Sequence, residues 1–311
     1  MESRTPPKRW AILAAFFAVY FLWGSTYLAM RVGVRTIPPF LLGATRFFCA
    51  GSLLWAFHMA RGQIHLSKGH WKQSALCAFL LLVCGNGGVV FSLQYISSGL
   101  AALVVGMVPL WIVAIEWARG ERKPAPRVVA GMLAGLAGIV VLLGPDVMNS
   151  LVHSKTTPGP AHQALGIGMV LFASLAWAFG SLQSRRVRIV GAPLLAPTLQ
   201  TLLGGAMLAV VSVSRGELQT FSFSKVEPEA VFAIVYLIVF GSLIAYSSYI
   251  WLLSVVPAAR VATYAFVNPI VAVLLGSVLL DETMTLRMLL SAALIVGAVA
   301  LITLGPRAQK A

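Results

Sequence analysis

The sequence predicts an all-α integral membrane protein: ten transmembrane helices, arranged as two inverted five-helix repeats with both termini cytoplasmic. Composition, the spacing of apolar runs and the placement of cations predict it. Hydrophobic residues make up 59% of the 311 and charged residues 10%, against about 45–50% and about 25% in a soluble protein. One helix crossing the hydrocarbon takes about 20 apolar residues, so ten take about 200, which this chain can supply. That balance excludes a soluble enzyme, a secreted disulfide scaffold and a disordered tail protein. Cys49, Cys77 and Cys84 all lie inside apolar runs, so no disulfide framework is expected.

Apolar runs and their polar breaks set the spans at approximately 10–30, 38–60, 73–94, 98–117, 127–145, 164–184, 193–214, 229–253, 258–280 and 286–304. The first run, behind Lys8 and Arg9, is long enough to read as a retained helix rather than a signal peptide. The breaks carry Pro38-Pro39, Arg61-Gly62, Gly120-Glu121, Arg215-Gly216 and Asp281-Glu282. The longest, 146–163, contains Pro158, Gly159 and Pro160 and separates a first repeat, 10–145, from a second, 164–304.

The halves look like copies. Pro39-Phe-Leu-Leu opens span two and Pro193-Leu-Leu-Ala opens span seven, an offset of 154 that also carries Gly51 onto Gly205. Ser98-Gly-Leu-Ala-Ala-Leu before Pro109 matches Ala258-Ala-Arg-Val-Ala-Thr before Pro269, an offset of 160. With the N-terminus inside, the inner segments hold 16 Lys plus Arg and the outer segments 6, leaving Arg46 within span two. This is a positive-inside bias. Five spans per copy invert the second copy, an arrangement that in carriers places the substrate near the midplane. The net charge of +14 is spread over these breaks rather than gathered on one face, so nucleic acid is not an expected partner; the lipid bilayer and a small-molecule substrate are.

The pattern resembles the EamA-type ten-helix members of the drug/metabolite transporter superfamily. The most specific stretch is Leu22-Trp23-Gly24-Ser25-Thr26-Tyr27, with Pro38-Pro39 and then Arg46-Phe47. Ser98 to Leu103, Pro109-Leu110, Gly131 to Gly144, Ala258-Ala259-Arg260, Asn268-Pro269 and Asp281-Glu282 add to it. The resemblance covers nearly the whole chain. It implies a multi-pass carrier of a bacterial cytoplasmic (inner) membrane, moving amino acids or other small metabolites, often outward. The second copy departs from the first: Trp177-Ala178-Phe179-Gly180-Ser181 splits the Trp-Gly-Ser block, and Gln200 stands where span two has arginine.

Arg46 falls about 12 Å along span two at 1.5 Å per residue. A cation there costs roughly 2.5–3.5 kcal/mol on insertion scales, so it faces a cavity or a partner. Two roles fit: docking a substrate carboxylate, or a structural arginine tied to backbone carbonyls or snorkelling outward. Pro109 and Pro269 are expected mid-span, each freeing a carbonyl, as hinges or as static bends. The expected path residues beside Arg46 are Trp23, Asn86, Trp177, Gln200, Tyr264 and Asn268, since buried amides need partners and these aromatics lie deep in their spans. Ser242, Tyr246 and Tyr249 share a face of span eight, and Tyr27 and Tyr249, near span ends, are expected to be interfacial. Gly131, Gly135 and Gly138 form a packing face, between the repeats or between protomers.

Glu116 is the one in-span carboxylate available as a proton site, or else an interfacial charge beside Arg119. Span one has no acidic residue, whereas the superfamily's short multidrug exporters carry a glutamate there, which disfavours a cationic-drug antiporter. The leading expectation is a secondary carrier with no cofactor or metal, and not an enzyme. The alternative is an integral-membrane lipid-modifying enzyme, which needs nucleophiles, metal ligands or paired acids. Asp146, Asp281 and all five histidines lie at span ends or in breaks, and no Gly-x-x-x-x-Gly-Lys-[Ser/Thr] phosphate loop is present. The inverted arrangement makes one sharp expectation. In a background lacking the native cysteines, Lys123→Cys and Thr285→Cys react with an impermeant maleimide from opposite sides of the membrane; labelling from one side at both positions rejects it.

Overall fold

A computed structural model describes residues 8–92, 95–96, 101, 104–120, 124–153, 160–187, 189, 192–279 and 286–303, and among these every regular element is a helix. In chain order they are α1 (Arg9–Phe17), α2 (Trp23–Gly33), α3 (Pro39–Ala60), α4 (Lys68–Ala78), α5 (Gly88–Ser92), α6 (Val108–Ala118), α7 (Pro126–His153) and α8 (Pro160–Ser184). The chain continues with α9 (Leu195–Ser214), α10 (Glu217–Thr220), α11 (Pro228–Tyr236), α12 (Ser247–Val255), α13 (Ala258–Val261), α14 (Tyr264–Leu279) and α15 (Leu286–Thr303). Gln94, which the sequence aligns with Asn86 on span three, the block 97–100, Asp281 and Glu282 lie outside the described residues, as does the side chain of Tyr27.

Among the described residues, six helical runs are long and apolar enough to cross a membrane: Arg9–Thr26, Pro39–Ala60, Lys68–Ser92, His162–Ser184, Leu195–Ser214 and Pro228–Val255. They fall on the first, second, third, sixth, seventh and eighth expected segments. Shorter apolar helices, Val108–Ala118, Pro126–Leu142 and Leu289–Ile302, fall on the fourth, fifth and tenth. Three of the long runs widen into π-helix part-way, at Ala18–Leu22, Phe79–Gly87 and Leu237–Tyr246. Outward faces are apolar, as at Leu53, Phe172, Val210, Phe232, Leu290 and Val296, the surface a hydrocarbon solvent calls for.

Helix starts follow from proline chemistry. Pro39, Pro126, Pro160 and Pro228 each stand in the first turn, where a missing N–H costs nothing and a fixed φ suits the helix. The chain folds into two compact units. The first comprises Met1–Val83 and Gly180–Pro257, the second Cys84–Phe179 and Ala258–Ala311. Each draws on both halves of the sequence, and the boundaries fall inside the long runs Lys68–Ser92 and His162–Ser184.

The first unit is organised by the packing of α3 on α9. A Cβ at Gly51 would stand 2.5 Å from the backbone nitrogen of Leu202, and one at Gly205 would stand 2.4 Å from that of Phe48. The two backbones therefore touch at positions where any side chain would hold them apart. Between helices in lipid, where apolar burial gives no drive, such close packing is the main source of association. The start of α3 is tied down as well. The Phe40 and Leu41 amides donate to the Glu217 carboxylate at 3.2 and 2.8 Å, and the Ser212 hydroxyl donates to it at 2.8 Å. First-turn amides lack an intrahelical acceptor, and a carboxylate there is favoured by the helix dipole, by about 0.3–1 kcal/mol. Gly216, with φ of +72°, makes the reversal that brings Glu217 there.

In the second unit α7 packs along α15. Cβ atoms at Gly131 and Gly138 would stand 2.7 and 2.5 Å from the Ile302 and Ile295 side chains, and one at Gly135 would stand 2.8 Å from the Phe266 ring. The glycine face of span five is thus packed within the chain, against Phe266, Ile295 and Ile302, which with Met132 and Ile139 form a buried core.

One expectation is corrected here. Pro109 does not kink a continuous helix: Gly106 and Met107 form a turn, and Pro109 sits in the opening turn of α6, where it removes no ladder bond. Pro269 does lie inside α14. The α3–α9 contact gives a stability prediction. Gly205→Ala lowers the melting temperature in detergent, by an overpacking cost of about 1–3 kcal/mol, while Gly168→Ala, at a position with open space around it, leaves it unchanged or higher.

Candidate functional site

The first unit holds a continuous set of polar and aromatic side chains, and it starts at Arg46. The side chain is 5% exposed, and among the described residues none of its contacts is a carboxylate. Its Nε–H donates to Ser242 Oγ at 2.8 Å, and Nη1 reaches Met30 Sδ at 3.7 Å. The Phe47 ring lies 4.7 Å from the guanidinium carbon, a cation–π distance. Nη2 lies over Gly241, where a Cβ would stand 2.7 Å from it.

Gly241 and Ser242 belong to the π-helical stretch Leu237–Tyr246. Such widened turns shift the backbone bonding from i→i+4 to i→i+5 and are frequent at functional sites. Here the stretch receives a bond from another helix: the Trp23 indole N–H donates to the Gly241 carbonyl at 3.1 Å. Trp23 also packs against the Tyr249 ring at 4.9 Å between centroids and the Tyr246 ring at 6.5 Å, and Phe47 lies 6.4 Å from Tyr246. Four aromatic rings from three spans thus form one cluster, and Phe47 is its member beside the cation.

The set continues to Gln200. The Tyr246 hydroxyl donates to Gln200 Oε1 at 2.8 Å, and Gln200 Nε2 donates to Ser184 Oγ at 3.2 Å. Ser181 and Tyr249 share a hydrogen bond beside it, and Ser25 shares one with Tyr236. Gln200, Ser181 and Ser242 are fully buried. A buried amide without partners would cost several kcal/mol in an apolar surround, about 2–7 depending on the reference state. Both ends of the Gln200 amide are engaged.

Of the sequence-predicted residues, the structure brings together Trp23, Arg46 and Gln200. Asn86, Trp177, Tyr264 and Asn268 belong to the second unit. Asn86 stands half-buried in the π-helical stretch Phe79–Gly87, Trp177 is half-buried on α8, and Tyr264 and Asn268 are buried one turn apart on α14. Glu116 is half-buried near the end of α6, three residues before the exposed Arg119.

Sequence reasoning placed Tyr249 at an interface, and the structure overturns this. Tyr249 is fully buried beneath Trp23. It also missed Met30, Ser181, Ser184 and Gly241. The stripe Ser242, Tyr246 and Tyr249 was the available signal for the inward face of this span. Gly241 had none, because its role depends on what lies above its missing side chain.

The profile of the EamA-like transporter family matches residues 9–144 and, a second time, 164–304. The chain belongs to the EamA-like transporter family. Family membership and the apolar helices together make it a membrane transporter. Among EamA-like relatives, the uncharacterized inner membrane transporter YedA of Escherichia coli K12 is 38% identical over 296 residues, covering 94% of this chain and 91% of its own. A chloroplastic WAT1-related protein of Arabidopsis thaliana is 28% identical over 94% of this chain and 69% of its own. A crystal structure covering 96% of this chain and 98% of its own superposes with a TM-score of 0.75 at 25% identity.

The hydrogen bond from Tyr246 to Gln200 gives a second stability test. Tyr246→Phe removes the donor and lowers stability. A double-mutant cycle with Gln200→Leu then yields a coupling of about 0.6 kcal/mol, the average for side-chain bonds between membrane helices. A coupling of zero in reversible unfolding shows the bond to be weaker than its geometry implies.

Proposed function

We propose that this transporter is a secondary carrier of the cytoplasmic (inner) membrane that moves a small carboxylate-bearing metabolite, an amino acid or a related compound, in the outward direction. It works by alternating access around a midplane site, on ten spans in two inverted repeats, 10–145 and 164–304, with both termini cytoplasmic. The double match of the family profile and the positive-inside charge pattern support that arrangement. The inner membrane assignment rests on the similarity to YedA.

The observation that carries the reading is Arg46. A guanidinium sits deep in an apolar span, bonded to a hydroxyl and a thioether, with the Phe47 ring against it and no carboxylate among its contacts in the described residues. Arg donors match a carboxylate in two parallel bonds, and a charged partner makes those bonds about twice as strong as neutral ones. A substrate carboxylate supplies the opposite charge that these contacts do not. Because Arg46 is 5% exposed, that carboxylate reaches it only when the surrounding helices part, which is what an alternating-access cycle provides.

Counterflow in proteoliposomes against labelled L-leucine, L-phenylalanine, L-threonine and L-methionine tests this. At least one compound exchanges in native protein, and Arg46→Gln reduces that exchange roughly ten- to hundredfold, as expected for hydrogen bonds to a charged group worth about 1.5–3 kcal/mol. No exchange of any panel member, or unchanged exchange in Arg46→Gln, overturns the docking role.

A further inference from the structure

We propose that Ser242, with Gly241 beside it, is the positioning residue that presents Arg46 to the substrate carboxylate end-on, through Nη1 and Nη2; this rests on the docking role of Arg46 given above. A guanidinium has two edges that can hold a carboxylate with two bonds: the side edge, Nε with Nη2, and the end, Nη1 with Nη2. Ser242 decides between them. Its hydroxyl oxygen accepts the Nε–H at 2.8 Å, so the side edge is engaged by the protein. At the end of the fork, Nη1 reaches only as far as Met30 Sδ, at 3.7 Å. A thioether is a weak acceptor, and an incoming carboxylate displaces it at little cost.

Gly241 supplies the space. A Cβ at this position would stand 2.7 Å from Nη2, 3.1 Å from Thr26 Cγ2 and 3.3 Å from the guanidinium carbon. The first of these distances is too short for any real side chain, so the guanidinium would have to move. The backbone at 241 is fixed in turn by the Trp23 indole bond to its carbonyl, and the Phe47 ring supports one face of the fork. Arg46 is therefore held at its Nε side, at one face and beneath Nη2, and what remains for recognition is the far end. The arrangement favours a carboxylate over its carboxamide, because two parallel N–H groups meet two acceptor oxygens in the acid and only one in the amide.

The experiment is counterflow of the same four labelled L-amino acids and their carboxamides by native protein, Ser242→Ala, Ser242→Thr, Gly241→Ala and Arg46→Gln, with thermal unfolding of each in detergent. Ser242→Ala is expected to raise the half-saturation concentration for the exchanged acid roughly tenfold, to leave the maximal rate within about twofold, and to leave carboxamide exchange unaltered. Ser242→Thr, which keeps the hydroxyl, brings half-saturation back toward the native value. Gly241→Ala, which displaces the fork without removing a polar group, reproduces the Ser242→Ala pattern and stands in for it if that variant does not fold. Positioning is overturned if Arg46→Gln abolishes exchange while half-saturation in Ser242→Ala or Gly241→Ala stays native. It is equally overturned if acid and carboxamide lose exchange to the same extent, or if only the maximal rate falls. Indifference of exchange to Arg46→Gln overturns the docking role itself.

Discussion

Backbone contact between α3 and α9 is the constraint on which the first unit depends. With glycine at 51 and 205 on facing surfaces, the two helices approach until main chain meets main chain. In hydrocarbon this close packing supplies association that apolar burial supplies in water. It also fixes where Arg46 and Gln200 stand, because each lies five residues before the glycine of its own helix. The polar groups are thus placed by small residues that carry no chemistry themselves.

A span in lipid leaves no water for an unmatched donor, so each polar side chain must find a partner within the protein. The first unit answers with bonds that cross between helices: Trp23 to Gly241, Arg46 to Ser242, Tyr246 to Gln200, Gln200 to Ser184. Three of these four end on the run that contains the stretch Leu237–Tyr246, whose π-helical geometry re-aims its groups relative to an ordinary helix. Tyr246 and Ser184 engage the two ends of the Gln200 amide, whereas Arg46 is bonded by neutral acceptors and, among the described residues, touches no carboxylate.

Much of this was legible in the residues. Apolar run lengths located the helices, Pro39 marked a start, and the lone cation in span two announced a buried polar centre. The correspondence of Gly51 and Gly205 appeared as a sequence offset before both were seen to face the opposite helix, at Leu202 and Phe48. What escaped was the geometry that depends on neighbours far along the chain. Tyr249 looked interfacial because it lies near the end of its run, and only the approach of Trp23 makes it core. Pro109 looked like a kink because hydropathy runs smoothly across Gly106 and Met107, and hydropathy does not register a break in the backbone ladder. The reach of Glu217 to the first turn of α3 crosses 176 positions, a distance over which local pattern is silent.

Residues 51 and 205 correspond under the offset of 154, and each looks across at the other's helix. A reciprocal meeting of corresponding positions is the signature of a two-fold axis, the same patch facing itself in an isologous pair. Expressed as two separate polypeptides, the halves would each bring the glycine surface that its counterpart requires. The crossing is therefore the place where a split version of this protein would be expected to reassemble, and where drift in one half is least free of the other.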